Sequence, residues 1–241
     1  MHLAGENLAA HRWNTTVKAR ILESRTRGTA LLAETLARLK HKPTVLLSAS
    51  AVGYYGDTGN RMADEQSGRG DSFLSEVCAA WEAAADPARS AGIRVVHPRF
   101  GIVLSVKGGA LARMLPLFKA GLGGRLGDGL AWMSWVTLAD AVSALLLCLQ
   151  NPGPAGPVNV VSPNPVTNAE FTRVLARTLR RPAILPVPEM LIRILLGEMG
   201  RGLLLASTRA KPACLEQWGF RFARPEIGGA LRAVLDDVPR S

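Results

Sequence analysis

The sequence predicts an α/β protein on a doubly wound parallel sheet, with a small, mostly helical C-terminal subdomain, and three observations carry that prediction. An apolar run at Val45–Leu47, a helix-patterned segment and a second apolar run at Ile93–Val96 give the alternation of βαβ units. The first run leads into a Gly-bounded loop holding Ser48, Ser50, Tyr54 and Tyr55. Ligands of open α/β sheets bind outside the carboxyl ends of the strands, so hydroxyls gathered there read as a site. Past Pro188 the pattern turns helical.

From Trp13 to Leu39 the chain favours helix, with Val17, Ile21 and Leu22 on one face and Gly28 as a candidate bend. Pro43 ends it, and Thr44–Leu47 reads as a strand buried on both faces. Asp71 or Ser72 caps the next helix, where Phe73, Val77, Trp81 and Ala84 recur at helical spacing, and Gly92 stops it. A turn after Phe100 precedes a helix at Ala110–Lys119, a glycine-rich loop to Gly129, an extended piece at Trp132–Val136 and an apolar helix at Thr137–Leu149. Pro157–Val161 and Ile184–Val187 are the third and fourth strands predicted. Between them, Thr167 and Glu170 form a capping-box pattern that opens the helix Ala169–Leu179. Three helical segments then run to Leu235, at Pro188–Ala206, Pro212–Trp218 and Glu226–Leu235.

With 241 residues the chain can bury a full core, and its 48% hydrophobic and 20% charged content fits a globular protein. Cys78, Cys148 and Cys214 stand far apart, which reads as reduced, buried thiols in a cytoplasmic protein. No Cys/His ligand spacing is present, so no metal is expected. The apolar run Met190–Ala206 is interrupted by Arg193, Glu198 and Arg201 and cannot span a bilayer. The net charge of +10 sits at the two ends: residues 1–42 carry +5, residues 43–172 carry −1 and residues 173–241 carry +6. Those ends have few aromatics, so solvated helix faces are expected rather than a nucleic-acid stripe.

Several motifs stand in an order that resembles the extended short-chain dehydrogenase/reductase superfamily. They are LAGEN at Leu3–Asn7, RW at Arg12–Trp13, SASAVGYYGD from Ser48, WEAAA at Trp81–Ala85, the run Gly108–Gly124, WMSW at Trp132–Trp135, TNAEF at Thr167–Phe171 and LLGEM at Leu195–Met199. More narrowly, the chain is similar to the epimerase-like family sometimes labelled a cell-division-inhibitor homologue. The resemblance implies a Rossmann-like dinucleotide domain over residues 1–187, lacking its N-terminal strands, and a family-specific helical domain over 188–237. It also implies NADP as cofactor, with NAD as the alternative, and a small-molecule partner. A homodimer is the assembly to test for.

By the same resemblance, Leu3, Ala4 and Gly5 run past the adenine ribose and pyrophosphate, with Ser48 and Ala49 also on the cofactor side. Arg20 and Arg25 reach a phosphate, and Arg99 and Phe100 border the nicotinamide. Ser50 takes the place of a hydroxyl that polarises the substrate carbonyl; a strand-end hydroxyl satisfying loop backbone is the alternative. Ser134, Trp135 and Asp140 shape the substrate side or serve the core.

Two departures accompany the match. The Gly-rich pyrophosphate fingerprint is absent, leaving about 60 residues of βαβ structure unaccounted for, and the chain is expected to fold poorly unless something covers the open sheet edge. The Tyr and Lys acid/base pair, four residues apart in hydride-transferring relatives, is also missing. Leu74 and Cys78 occupy its aligned positions, while Tyr54 and Tyr55 are followed at that spacing by Thr58 and Gly59. Tyr54 and Tyr55 are then the deputies for catalysis, or else packing residues. The functional expectation is an NADP-dependent oxidoreductase or epimerase-like enzyme acting on a small hydroxyl or carbonyl compound. Its rival is a non-catalytic NADP-binding sensor or scaffold.

Overall fold

Asn14 opens the first helix, α1 (Thr15–Arg38), by accepting the Val17 N–H on its side-chain oxygen at 2.8 Å. The structure, a computed structural model, describes residues 1–153 and 155–236. In α1 the buried positions Val17, Ile21, Arg25, Thr29 and Ala33 recur every four residues, and the helix passes Gly28 without a break. β1 (Val45–Leu47) and β2 (Ser50–Ala51) are one line of chain interrupted at Ser48 and Ala49. A 3-10 turn at Val52–Tyr55 follows, and Ser72 caps α2 (Phe73–Ala83) by accepting the Ser75 N–H. After the short α3 (Asp86–Ser90), a left-handed Gly92 turns the chain into β3 (Arg94–Phe100).

β1 and β2 pair parallel with β3 in a single register, Val45 beside Arg94 and Ser50 beside Arg99. The chain continues through β4 (Ile102–Leu104), α4 (Gly109–Lys119), β5 (Trp132–Met133), β6 (Trp135–Thr137) and α5 (Leu138–Gln150) to β7 (Gly156–Val160). β7 pairs parallel with the other side of β3, while His2 bridges Ser48 in parallel beyond β1. The sheet is therefore parallel throughout and covered on both faces. Leu46 and Val95 pack with Ala33 and Ala88 on one face; Leu47 and Val96 pack with Ala144 and Leu145 of α5 on the other. That is the doubly wound Rossmann-like arrangement.

β8 (Val166–Thr167) pairs antiparallel with β5 and leads into α6 (Asn168–Leu179), where Thr167 Oγ1 accepts the Glu170 N–H at 3.2 Å. The C-terminal region is helical: α7 (Glu189–Gly200), kinked at a left-handed Gly197, then a π-helical turn at Arg201–Leu205, α8 (Ala213–Gln217) and α9 (Ile227–Asp236). These helices share the core, Leu215 lying with β7 and Leu231 with Phe171 and Leu175 of α6. Residue 237, the outer bound of the expected C-terminal domain, lies outside the described residues.

The strands expected from the sequence differ from the structure in four places, and the helix expected up to Gly92 is divided into α2 and α3. The second strand runs four residues past Val96, and β4 stands where a turn was expected. The extended piece at Trp132–Val136 is two strands parted at Ser134, whose carbonyl takes the Ile102 N–H at 2.8 Å. Ile184–Val187 forms no strand, because Pro186 has no N–H and only Val187 bonds to the chain at Arg125 and Gly127. Among the described residues no helix is long and apolar enough to cross a membrane, and no group of three or more His, Cys, Asp or Glu could hold a metal.

Candidate functional site

The register of the sheet sets a polar row across three strands. Ser50 of β2 lies beside Arg99 of β3, and Arg99 lies beside Asn159 of β7, so all three side chains leave the same face near the carboxyl ends. α2 crosses that face and lowers Glu82 onto the row. Glu82 takes Arg99 with both oxygens, Oε1 from Nε and Oε2 from Nη2 at 2.8 Å each, and Oε1 also accepts the Ser50 hydroxyl at 2.7 Å. Arg99 Nη1 donates to the Tyr55 hydroxyl at 3.0 Å, and that hydroxyl donates to Asn159 Oδ1 at 2.7 Å. The Arg99 guanidinium lies over the Tyr54 ring, Cζ 3.5 Å from its centroid.

Burial makes this network demanding. Ser50, Tyr55, Arg99 and Asn159 are all buried, so each polar atom needs a partner within the protein. Burial pulls the Arg99 pKa down, but the hydrogen bonds and charge of Glu82 outweigh it and hold the guanidinium protonated above its ordinary value. Burial pushes the Tyr55 phenol up to about 12 against the opposing pull of Arg99. At neutral pH Tyr55 is a neutral hydroxyl with both its donor and acceptor roles filled.

Just past the row, the strand ends open into a mainly apolar cavity of about 270 Å³. Ala51, Val52 and Gly53 form one side and Phe100, Gly101 and Ile102 another; Met133 and Ser134 close it, and helices contribute Cys78, Trp81, Met114 and Asn168. Arg25 is its one cationic wall residue. It is buried over the Trp81 ring, donates to the Ile21 and Glu6 carbonyls at 3.0 and 3.1 Å, and burial lowers its pKa. Burial, followed by the charge of Glu82, raises the Cys78 thiol to about 11, so it faces the cavity protonated. A second cleft of about 550 Å³ shares Gly53, Leu74, Gly202, Ala206 and Thr208 with this cavity and carries Asp57, Asp71, Glu189, Glu198, Arg193 and Arg201. It is a polar forecourt to an apolar chamber.

The residues expected on the cofactor and catalytic side fall into four groups. Arg25 and Phe100 stand in the cavity wall. Ser50, Tyr54, Tyr55 and Arg99 form the network behind it and are not among the wall residues. Leu3, Ala4, Gly5 and Arg20 lie exposed on the first segment and α1. The space a Cβ on Gly5 would need is taken by the Arg25 guanidinium, 3.0 Å away, so this glycine makes room for that arginine. Arg20 holds only a 3.9 Å contact to Glu6. Ser48 and Ala49 are buried in the gap between β1 and β2, and Ser48 Oγ has no partner among the described residues.

On the substrate side Ser134 lines the cavity, its Oγ accepting the Ala210 N–H at 2.8 Å and donating to Thr208 O. Trp135 is core, and Asp140 binds the backbone at Ala223 and Arg224. Sequence reasoning did not single out Glu82 and Asn159, which join the row together. The available cue was Glu82 beside the buried Trp81 in WEAAA, a carboxylate at the border of an apolar stripe.

The model of the "NAD dependent epimerase/dehydratase family" matches residues 1–162, and that of a "domain of unknown function" matches residues 187–234. An epimerase family protein of Mycobacterium tuberculosis is 44% identical over 231 residues, which is 96% of this chain and 76% of that protein. The crystal structure of human epimerase family protein SDR39U1 with NADPH superposes with a TM-score of 0.91 at 32% identity, covering 98% of this chain and 81% of that one. Thermus thermophilus UDP-glucose 4-epimerase, solved with NAD, shares the fold at a TM-score of 0.73 and 18% identity. With a parallel sheet wound on both faces, a cavity at its strand ends and relatives matched over nearly its whole length, the chain belongs to the NAD dependent epimerase/dehydratase family.

Proposed function

We propose that this protein binds NADPH across the carboxyl ends of β2 and β3 and acts on a small, largely apolar carbonyl or hydroxyl compound held in the adjoining chamber. The observation that carries the reading is the apolar cavity at the strand ends with the buried Arg25 guanidinium in its wall. The NADPH in the human relative's structure supports the choice of cofactor. When bound, the nicotinamide would supply or accept hydride. This chain's residues would exclude water around the reacting carbon through Val52, Phe100, Met114 and Met133, and would hydrogen-bond a substrate oxygen through the Asn168 side-chain amide. Ser50 and Tyr55 would act by holding Arg99 and Glu82, which fix the ends of β2 and β3; Tyr54, stacked on Arg99, would do the same.

A second reading has its own observation. With the Tyr55 phenol raised to about 12 and the Ser50 proton committed to Glu82, neither hydroxyl is poised to exchange a proton at neutral pH. A dinucleotide sensor or scaffold would tolerate that arrangement. Titration of the purified protein with NADPH, followed by its fluorescence and by calorimetry, tests the shared part. Saturable binding is expected, about tenfold weaker in Arg25→Gln, with thermal melts reporting whether that variant is folded. Absence of saturation in the folded wild-type chain would end both readings. Oxidation of bound NADPH by any member of a carbonyl panel then selects the enzyme, and tight binding with no oxidation selects the sensor.

A further inference from the structure

A third concavity, a cleft on the outer side of α6, has the chemistry of an anion site. α6 turns Phe171 and Leu175 into the core, and on its outer side Arg173, Arg177 and Arg180 follow one another at intervals of four and three residues. Arg181 extends the row, and Arg125 of the glycine-rich loop faces it across a cleft of about 560 Å³. No carboxylate lines this cleft, and none of its five arginines makes an ion pair with a described residue. Five exposed guanidiniums without a counter-charge concentrate a positive field in the cleft that favours an anion there.

Thr172 in the cleft wall is the second, independent observation. It is 4% exposed, and its Oγ1 has no hydrogen-bond partner among the described residues. Three helical threonines elsewhere return the hydroxyl to the carbonyl four residues back, Thr26 to Leu22, Thr35 to Leu31 and Thr178 to Val174, while the buried Thr29 takes the Trp81 indole N–H. Thr172 does neither, so a buried hydroxyl stands unpaired in a residue of the cleft wall. The end of the helix points the same way. Arg180 is the one described non-glycine residue with positive φ, +53°, at a cap position where glycine costs least.

The cleft is separate from the dinucleotide cavity but shares a partition with it. Leu126 and Asn168 line the cavity while their chain neighbours Arg125 and Ala169 line the cleft, and the Leu126 N–H donates to Asn168 Oδ1 at 2.8 Å. We infer that this cleft binds a polyphosphorylated small molecule, its phosphate oxygens taken by the five arginines and by the Thr172 hydroxyl. A single phosphate, at about −2, would leave most of the +5 arginine charge unmatched; a diphosphate neutralises more than half of it and a longer chain more still. The same chemistry occurs on soluble phosphate esters and on lipid headgroups, and two arms of one experiment separate them.

The test is calorimetric titration of the full chain with inorganic pyrophosphate, at two salt concentrations. Saturable binding that weakens with salt is expected, with affinity falling at least about tenfold in Arg177→Gln/Arg180→Gln. Both side chains are exposed, so that variant keeps its fold, and its NADPH affinity stays at the wild-type value. Thr172→Val is expected to melt no lower than wild type while binding pyrophosphate more weakly, a split that a purely structural threonine would not produce. Sedimentation with phosphatidic acid vesicles, reversed by pyrophosphate and lost in the double variant, assigns the phosphate to a lipid; pyrophosphate binding without sedimentation assigns it to a soluble ester. No saturation by pyrophosphate, or equal affinity in wild type and the double variant, overturns the inference.

Discussion

Arg99 and Glu82 meet as a two-pronged pair, Nε and Nη2 each 2.8 Å from a different carboxylate oxygen, at the point where β2, β3 and α2 converge. The Arg99 side chain is 3% exposed and that of Glu82 13%, so solvent cannot take over for a lost partner. Glu82→Gln is therefore expected to lower unfolding free energy by about 3 kcal/mol, because it strands a buried guanidinium. The double variant Glu82→Met/Arg99→Met, which removes both charges, should lose clearly less. Urea denaturation of the three proteins checks this; a single variant within experimental error of wild type would show that the pair contributes little.

The pH dependence of stability follows from the buried acids and from His97. Tyr55 is raised from 10.0 to about 12, Cys78 and Cys148 from 9.0 to about 11, and Cys214 from 9.0 to about 12, burial being the first cause for each. Between the unfolded and folded values the native state holds more protons than the unfolded chain. The stability these groups contribute is thus complete below pH 9 and is lost as pH rises through 11 to 12. His97 is shifted below 6.5 by burial, so the unfolded chain binds the extra proton and stability falls as pH drops below that value. Melting temperature against pH should give a plateau bounded on both sides. In Cys148→Ala the alkaline loss should begin at the same pH, set by Cys78 and Cys214, but be shallower, and an unchanged alkaline limb would remove Cys148 from this account.

How far the sequence reveals this site depends on the distance over which each feature is set. Helices such as α1 and α2 are legible because their buried residues repeat within one turn, and Ser72 and Thr167 announce their caps locally. β4 and the pair β5 and β6 are two or three residues long, and only their partners define them. Ser50, Tyr55 and Arg99 can each be picked out from the sequence. Their arrangement depends on Glu82, 32 residues from Ser50, and Asn159, 104 residues from Tyr55, and no local pattern records those separations.

Gly101 separates β3 from β4 where the chain passes closest to Ser134. A Cβ there would lie 2.5 Å from the Ser134 carbonyl oxygen and 2.8 Å from Val161, and neither backbone nor a packed β-branched side chain can yield cheaply. Gly101→Ala is expected to cost about 2 kcal/mol and, since Gly101 is a wall residue, to weaken NADPH binding as well. Gly68→Ala is the control: nothing lies within 4 Å of its Cβ and its φ is ordinary, so stability should hold or rise by about 0.5 kcal/mol. Equal losses in the two variants would mean that the close approach at Gly101 is not what matters.

Asp140 joins the first turn of α5 to the C-terminal segment. Its Oδ1 accepts the Ala223 N–H at 2.7 Å, and its Oδ2 accepts the Arg224 N–H at 3.2 Å and the Thr137 hydroxyl at 2.9 Å. The carboxylate is buried, and its position at the start of α5 adds the favourable field of the helix. Asp140→Asn presents an amide N–H₂ toward one of those donors and so loses at least one hydrogen bond to a charged acceptor, at a cost of about 2 kcal/mol. The loss should be local before it is global, because Ala223 and Arg224 lead into α9, which packs on α6 through Leu231, Phe171 and Leu175. Hydrogen exchange at the Ala223 and Arg224 amides is therefore expected to accelerate about 30-fold in Asp140→Asn, with the amides of β3 much less affected. Uniform acceleration across β3 and residues 223–224 would instead mean that Asp140 supports the whole fold rather than the attachment of its last helices.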